Sequence, residues 1–345
     1  MTEDDPIALC LAGLISPEVA LARLALAGMS AEQIEARLTH HSGGGSYQPA
    51  RALTCSYPSP RPPPARGGGE AVQHNVLPSP CGRGWGRGET GGRLVSDRAR
   101  ALGDLLATNR GRINDLLRMV AESGLDHASA PAEPDDVLAR LRAAFDRAVA
   151  CSPEAAVAAY SLGDQVILDA ATAEIVEWLT AERLIGAECD VLDLGCGIGR
   201  VATALARRCR FVLGLDISPG MIAEARRRYA GPNFRFEPTS GRDLATIPDN
   251  SFDLTLAVDT FPYLMQAGAN IAERHVADAA RLLRLGGHLA ILNLSYGRRP
   301  DADRADVARW ADMFGFEPIH NGTMPFRLWD GAAFVLCRGR AGGTG

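Results

Sequence analysis

From about residue 160 onward, the chain alternates between two hydrophobic periods. Short runs rich in β-branched, aromatic and leucine residues, at 191–194, 211–216, 234–236, 251–258, 288–292, 316–320 and 332–337, have strand character. Between them lie stretches with apolar residues every three or four positions. The segment 164–184 is one, with Ile167, Leu168, Ala171, Ile175, Val176 and Leu179 on one face; 201–210, 279–285 and 303–313 are others. Such alternation demands a mostly parallel sheet covered on both faces. The expected fold is therefore α/β and doubly wound, with its ligand site at the carboxyl ends of the strands.

The first part of the chain has a helical pattern. Residues 18–27 follow a Ser16–Pro17 start, Ser30 to Gln33 open a second helix with a capping-box-like signature, and 97–123 carry Leu102, Leu105, Leu106, Ile113, Leu116, Leu117 and Val120 at helical spacing. From 41 to 93 the pattern breaks. Gly, Pro, Ser and Arg dominate there, and too few apolar residues recur to offset the entropy of ordering. The expected organisation is an N-terminal helical segment at 1–40, a disordered insert at 41–93, a helical cap at 94–160 and the α/β domain at 161–345.

That insert carries an internal symmetry. Codons for Gly and Arg, reverse-complemented, give Ser, Pro, Thr or Ala, so a DNA palindrome translates into a Pro-rich arm and a Gly/Arg-rich arm. Residues 56–68 and 78–90 pair this way in antiparallel order, Ser56 against Thr90 and Gly68 against Pro78, with only Tyr57/Glu89 and Arg61/Trp85 failing. The segment near 43–92 resembles a translated palindromic intergenic repeat inserted in frame. An Arg/Gly-rich nucleic-acid tail with Tyr57 and Trp85 interleaved is the functional alternative.

Candidate chemistry concentrates at Val191-Leu192-Asp193-Leu194-Gly195-Cys196-Gly197-Ile198-Gly199-Arg200. A strand runs into alternate glycines and then a helix, a turn that lets a ligand lie on main-chain N–H groups. Nicotinamide, flavin and sulfonium cofactors all use such turns. A dinucleotide fingerprint places its third glycine where Arg200 stands, and Asp193 repels a pyrophosphate but suits an ammonium and a sulfonium. A second acid, Asp216, ends the next strand about 20 residues on, the spacing at which a carboxylate meets ribose hydroxyls.

With these landmarks the chain resembles the class I S-adenosylmethionine-dependent methyltransferases, roughly over residues 160–337. The resemblance implies a seven-stranded Rossmann-like sheet with an antiparallel last strand, and S-adenosyl-L-methionine as cofactor. It implies contacts from Asp193, Gly195, Cys196 and Gly197 at the glycine turn, and from Ile217 and Met221 packing on the adenine. Asp243 and the N–H of Leu244 would meet the adenine edge, although the loop before them is longer than usual. Val258 closes the methyl-transfer site, and Asp259 after it is the first candidate for a catalytic base, ahead of Tyr263, His288 and His320. A residue like Cys196 is common at that place in the family and reads as a small filler. Gly286-Gly287 resembles the family's turn between a helix and the fifth strand.

Composition adjusts this reading. A net charge of -5 gives no general pull toward nucleic acid, so a nucleic-acid substrate is disfavoured. No Asn-Pro-Pro-Tyr motif follows the fourth strand, which shifts weight toward a small-molecule acceptor. The basic residues are all Arg, which removes lysine chemistry and points to a GC-rich, bacterial genome. The eight cysteines lack paired spacing, so neither a metal site nor a disulfide framework is expected. The apolar run 7–15 is too short to span a membrane, and a cytoplasmic protein is expected. The expected function is methyl transfer to a small-molecule O or N acceptor by in-line displacement. The alternatives are a non-catalytic S-adenosylmethionine-binding regulatory or scaffolding protein and a nicotinamide-dependent oxidoreductase.

Overall fold

The computed structural model describes residues 5–41, 90–125, 132–296 and 299–339. The expected insert at 41–93 lies outside the described residues, except for His41 and the opening turn of a helix at 90–93. In chain order the helices are α1 (Pro6–Ala12), α2 (Pro17–Leu26), α3 (Ala31–His41), α4 (Thr90–Ser123), α5 (Pro134–Cys151), α6 (Pro153–Val157) and α7 (Gln165–Ala181). They continue as α8 (Arg200–Ala206), α9 (Pro219–Arg228), α10 (Phe261–Ala267), α11 (Ala269–Leu282) and α12 (Pro300–Phe314). The strands are β1 (Asp190–Leu194), β2 (Phe211–Asp216), β3 (Phe234–Pro238), β4 (Phe252–Val258), β5 (Leu283–Leu292), β6 (Phe316–Thr323) and β7 (Ala333–Arg338).

The strands form one sheet in the order β3-β2-β1-β4-β5-β7-β6. The first five run parallel, while β7 pairs antiparallel with β5 and β6. Strand periodicity sorts the core into two faces. Val191, Val212, Leu254 and Ala290 face a layer built on α7, α8 and α9, and Leu192, Leu213, Ala257 and Ile291 face α10, α11 and α12. The N-terminal helices add to the first face, where Ile7, Leu21, Leu24, Leu102 and Leu116 belong to the same apolar cluster as Leu168 and Val201.

A doubly wound sheet wants a helix between β3 and β4, but 239–251 is irregular. That cover comes instead from the N-terminal half of the chain. Val137, Leu138 and Leu141 of α5 pack with Leu213, Leu215 and Leu244 on the second face. Arg142 fastens the helix by donating to the Ile217 carbonyl at 3.0 Å and the Thr239 carbonyl at 3.3 Å.

Two boundaries differ from those read in the sequence. The helix after the glycine turn stops at Ala206 instead of 210, because 207–209 turn back to feed β2. Helix α11 ends at Leu282, and Gly286-Gly287 lie inside β5, where the pairing with β4 shifts register between Phe252 and Leu254. A Cβ at Gly287 would meet the Arg284 carbonyl oxygen at 2.9 Å and the Asp253 carbonyl oxygen at 3.0 Å. The glycine pair permits a bulge in a strand, not the end of a helix.

Candidate functional site

A cleft of about 1180 Å³ lies at the carboxyl ends of β1, β2, β4 and β5. Its floor is the glycine turn with Asp193, Asp216 and the segment 258–260, and its roof comes from α2, α5 and the stretch 155–160. Two aromatic pairs, Tyr160 with Trp329 and Tyr263 with Tyr296, also line it.

The glycine turn is stitched to β2. The N–H groups of Gly195 and Cys196 both donate to the Leu215 carbonyl (2.7 and 2.9 Å), and Gly197 N–H donates to Asp216 Oδ2 at 2.9 Å. Gly199 N–H is taken by the Cys196 carbonyl. These donors are therefore consumed inside the protein, contrary to the expectation that a ligand would lie on them. The glycines serve close packing instead. At Gly197 (φ +53) a Cβ would sit 2.6 Å from Val157 Cγ1, so a side chain there would push the roof away. Cys196 packs its Cβ and sulfur against Gly214, and burial pushes its thiol well above the ordinary range. That is the environment of a filler, not of a nucleophile.

Asp193 is 1% exposed, and its Oδ2 has no partner. Burial raises its pKa to about 7, against the Arg200 guanidinium and the Ala202 N–H, which pull it down. Asp216 accepts from Gly197 N–H on Oδ2 and from Ser218 N–H on Oδ1 (2.8 Å); burial raises it to about 6. Ser218 caps α9 at Met221 N–H (3.0 Å), and Asp146 of α5 accepts from both Ser218 Oγ (2.6 Å) and Gly220 N–H (2.8 Å). Ile217, Met221, Thr239 and Gly241 line the cleft here. Asp243 and Leu244 are not among its lining residues. The Leu244 N–H donates to Asp278 Oδ2 at 2.8 Å, and Asp243 Oδ1 accepts from Ala245 N–H.

At the far end, Val258 and Asp259 line the cleft just past β4. Asp259 adopts the left-handed region (φ 59), which few residues other than Gly, Asn and Asp enter. Its own N–H donates to the Leu292 carbonyl, and its Oδ1 accepts from Asn293 Nδ2 (2.8 Å) and from the Tyr296 hydroxyl (2.7 Å). Oδ2 takes no hydrogen bond from the described residues. Burial raises Asp259 to about 6, while the bonds from Tyr296 and Asn293 restrain the rise. Tyr263 is hydrogen-bonded to Tyr296, and the two rings meet edge to face at 5.7 Å. Thr260 ties this end to β1 by donating to the Leu194 carbonyl at 2.8 Å.

Residues 192–291 match the family model described as a methyltransferase domain. The likeness to a methyltransferase domain is confined to this segment. Its cofactor is S-adenosyl-L-methionine. Over 111 residues the chain is 39% identical to a demethylmenaquinone methyltransferase of Tropheryma whipplei (strain Twist), covering 32% of this chain and 44% of that protein. Over 116 residues it is 39% identical to a trans-aconitate 2-methyltransferase of Methylobacterium nodulans, covering 33% and 41% respectively. The chain thus spans less than half the length of these curated relatives. A magnesium protoporphyrin IX methyltransferase from Synechocystis PCC 6803, solved with bound S-adenosylmethionine, aligns over 61% of this chain and 100% of its own at 18% identity and a TM-score of 0.45.

The residues of this segment fit that cofactor. The orphaned, buried Asp193 oxygen suits a cationic ligand, and each Asp216 oxygen keeps acceptor capacity beyond its one backbone bond. Of the weaker base candidates, Tyr263 lines the cleft, while His288 and His320 do not; His320, on β6, has its Nε2 3.0 Å from Oε2 of Glu182 at the end of α7. The sequence reading missed Asn293, Tyr160 and Arg200 as cleft residues, and Asp146 and Arg142 as the anchors of α5. A signal existed for Asn293: it follows β5, whose Leu292 is the parallel partner of Val258, so it had to emerge beside Asp259. Among the described residues no helix is long and apolar enough to cross a membrane.

Proposed function

We propose that the chain is an S-adenosylmethionine-dependent methyltransferase acting on a small-molecule oxygen or nitrogen acceptor enclosed between the sheet and the helical roof. Asp193, Gly195, Cys196, Gly197, Asp216, Ile217, Met221 and Val258 form its cofactor half, with Thr239 and Gly241 taking the place along the ring that the resemblance gave to Asp243 and Leu244. The cofactor supplies a methyl group already activated on a sulfonium centre. The protein therefore has to align the acceptor, exclude water and receive a proton.

The observation that carries this reading is Asp259. One of its oxygens is fixed by Tyr296 and Asn293 and the other is left without a partner in the cleft, and a pKa of about 6 makes it an ionised base at neutral pH. Oδ2 would take the hydroxyl or amine proton of the acceptor as the methyl group is transferred. The two curated relatives are named for small-molecule acceptors, which supports the same class here.

The test is formation of S-adenosylhomocysteine from S-adenosylmethionine with a bacterial metabolite extract, with mass spectrometry locating the added methyl. Turnover by the wild type that is lost in Asp259→Asn supports the reading. Binding of S-adenosylmethionine without turnover on any extract favours the regulatory alternative instead.

A further inference from the structure

Arg200 is 9% exposed and stands on the cleft wall at the end of the glycine turn. Its Nη1 donates to Thr172 Oγ1 at 2.8 Å and its Nη2 to the Tyr160 hydroxyl at 3.4 Å. Among the described residues no carboxylate pairs with it. Arg228, also mostly buried, shows the usual arrangement: two carboxylates, Glu154 at 2.7 Å and Glu224 at 2.6 Å, hold it. A buried guanidinium without a counter-ion is costly to maintain, and a site keeps one where a ligand provides the anion.

Its surroundings shape that ligand. Asp193 and Asp259 feel the Arg200 charge through space but make no ion pair with it. Tyr160 stacks on Trp329 (centroids 6.3 Å, planes 30° apart), and Trp329 continues to Phe326 at 5.1 Å. A flat apolar wall therefore stands beside a cation whose five donors are only partly used, a geometry that matches a planar, two-oxygen anion.

We propose that Arg200 is the receptor for a carboxylate presented inside the cleft, oriented by Thr172 and Tyr160. The proposal rests on the methyltransferase reading for the source of that carboxylate. It belongs either to the methionine end of the cofactor or to the acceptor, and the same guanidinium chemistry serves both.

Calorimetric titration of the wild type, Arg200→Met and Arg200→Lys separates the sources. The first arm uses S-adenosylmethionine and its decarboxylated analogue, which keeps the ammonium and sulfonium groups but lacks the carboxylate. The second uses benzoate and benzamide, each with and without S-adenosylhomocysteine. In the arm that holds the true source, Arg200→Met weakens the carboxylate ligand by roughly 10- to 150-fold, the range for hydrogen bonds to charged groups. The carboxylate-free partner is unaffected, and Arg200→Lys falls between, keeping the charge without the fork. A response in the first arm assigns the carboxylate to the cofactor, and a response in the second to the acceptor. Equal binding of all four ligands by the wild type and both folded variants overturns the proposal. If Arg200→Met does not fold, Arg200→Lys carries the comparison alone. A wild type that ignores both cofactor ligands but binds benzoate through Arg200 refutes the methyltransferase reading and leaves this inference standing.

Discussion

Asp216 and Asp259 are both acids at or just past strand ends on the same cleft, and burial raises both to about 6, yet they are held differently. Asp216 is gripped by two backbone N–H groups, from Gly197 and Ser218, on opposite oxygens. Asp259 is gripped by two side chains, Asn293 and Tyr296, on one oxygen. Backbone donors lock a carboxylate into the fold of its own turn and leave it lone pairs for hydroxyls. Side-chain donors on a single oxygen leave the other available to receive a proton. The contrast separates a residue suited to binding from one suited to chemistry.

The most severe way to break this contrast is Asp259→Asn. It should keep the shape, preserve the affinity for S-adenosylmethionine and lower turnover by roughly 10²–10⁴-fold, the usual scale for loss of a general base. Calorimetry and an S-adenosylhomocysteine assay on one preparation check both halves. Weakened binding with normal turnover at saturating cofactor would move Asp259 to the cofactor side.

Next in size is Asp216→Ala, which should weaken S-adenosylmethionine by roughly 10- to 150-fold, the range for charge-assisted hydrogen bonds. Because the change also frees the N–H groups of Gly197 and Ser218, part of the loss comes from a loosened glycine turn. Asp216→Asn keeps a carbonyl acceptor and should lose less. Equal affinity in a folded Asp216→Ala protein would remove the residue from the site.

Smaller again is Tyr296→Phe. The Tyr296 hydroxyl lowers the Asp259 pKa, so without it the acid limb of kcat/KM, set near pH 6 in the wild type, should move to higher pH. At pH 8, well above that limb, turnover should fall less than about tenfold, the scale of one net hydrogen bond. An acid limb that stays in place would detach Tyr296 from the base.

Asp216 and Asp259 were legible in the sequence because each ends an apolar run, and the order of the runs gave the sheet. Their partners were legible to different degrees. Ser218 and Gly197 are near neighbours or part of the glycine motif, whereas Asn293 and Tyr296 lie 34 and 37 residues beyond Asp259 and meet it only through the β4–β5 register. The loop 239–251 has no period to fix its register, and Thr239 and Gly241 line the cleft where Asp243 and Leu244 do not. The service of α5 between β3 and β4 depends on a long-range contact, Leu138 and Leu141 with Leu213 and Leu244, that no local pattern encodes.

The smallest expected effect is on stability against pH, and it sharpens the comparison at the Asp259 end. An unfolded Asp titrates near 3.9, on the order of two units below the folded value of Asp259. The folded state thus holds the Asp259 proton more tightly. Its contribution to stability is fully present below about pH 4 and is lost as pH rises through about 6. His275 and His288, lowered by burial, act in the opposite direction below about pH 6.5, so the slope of the wild type alone is a sum of opposing parts. The difference between Asp259→Asn and wild type cancels them. Asn cannot ionise, so the melting temperature of the cofactor-free variant relative to wild type should climb between about pH 4 and pH 7, by a few degrees in all. A difference that stays flat across that range would mean that Asp259 titrates alike in the folded and unfolded chain, and the burial that fits it to accept a proton would have to be given up.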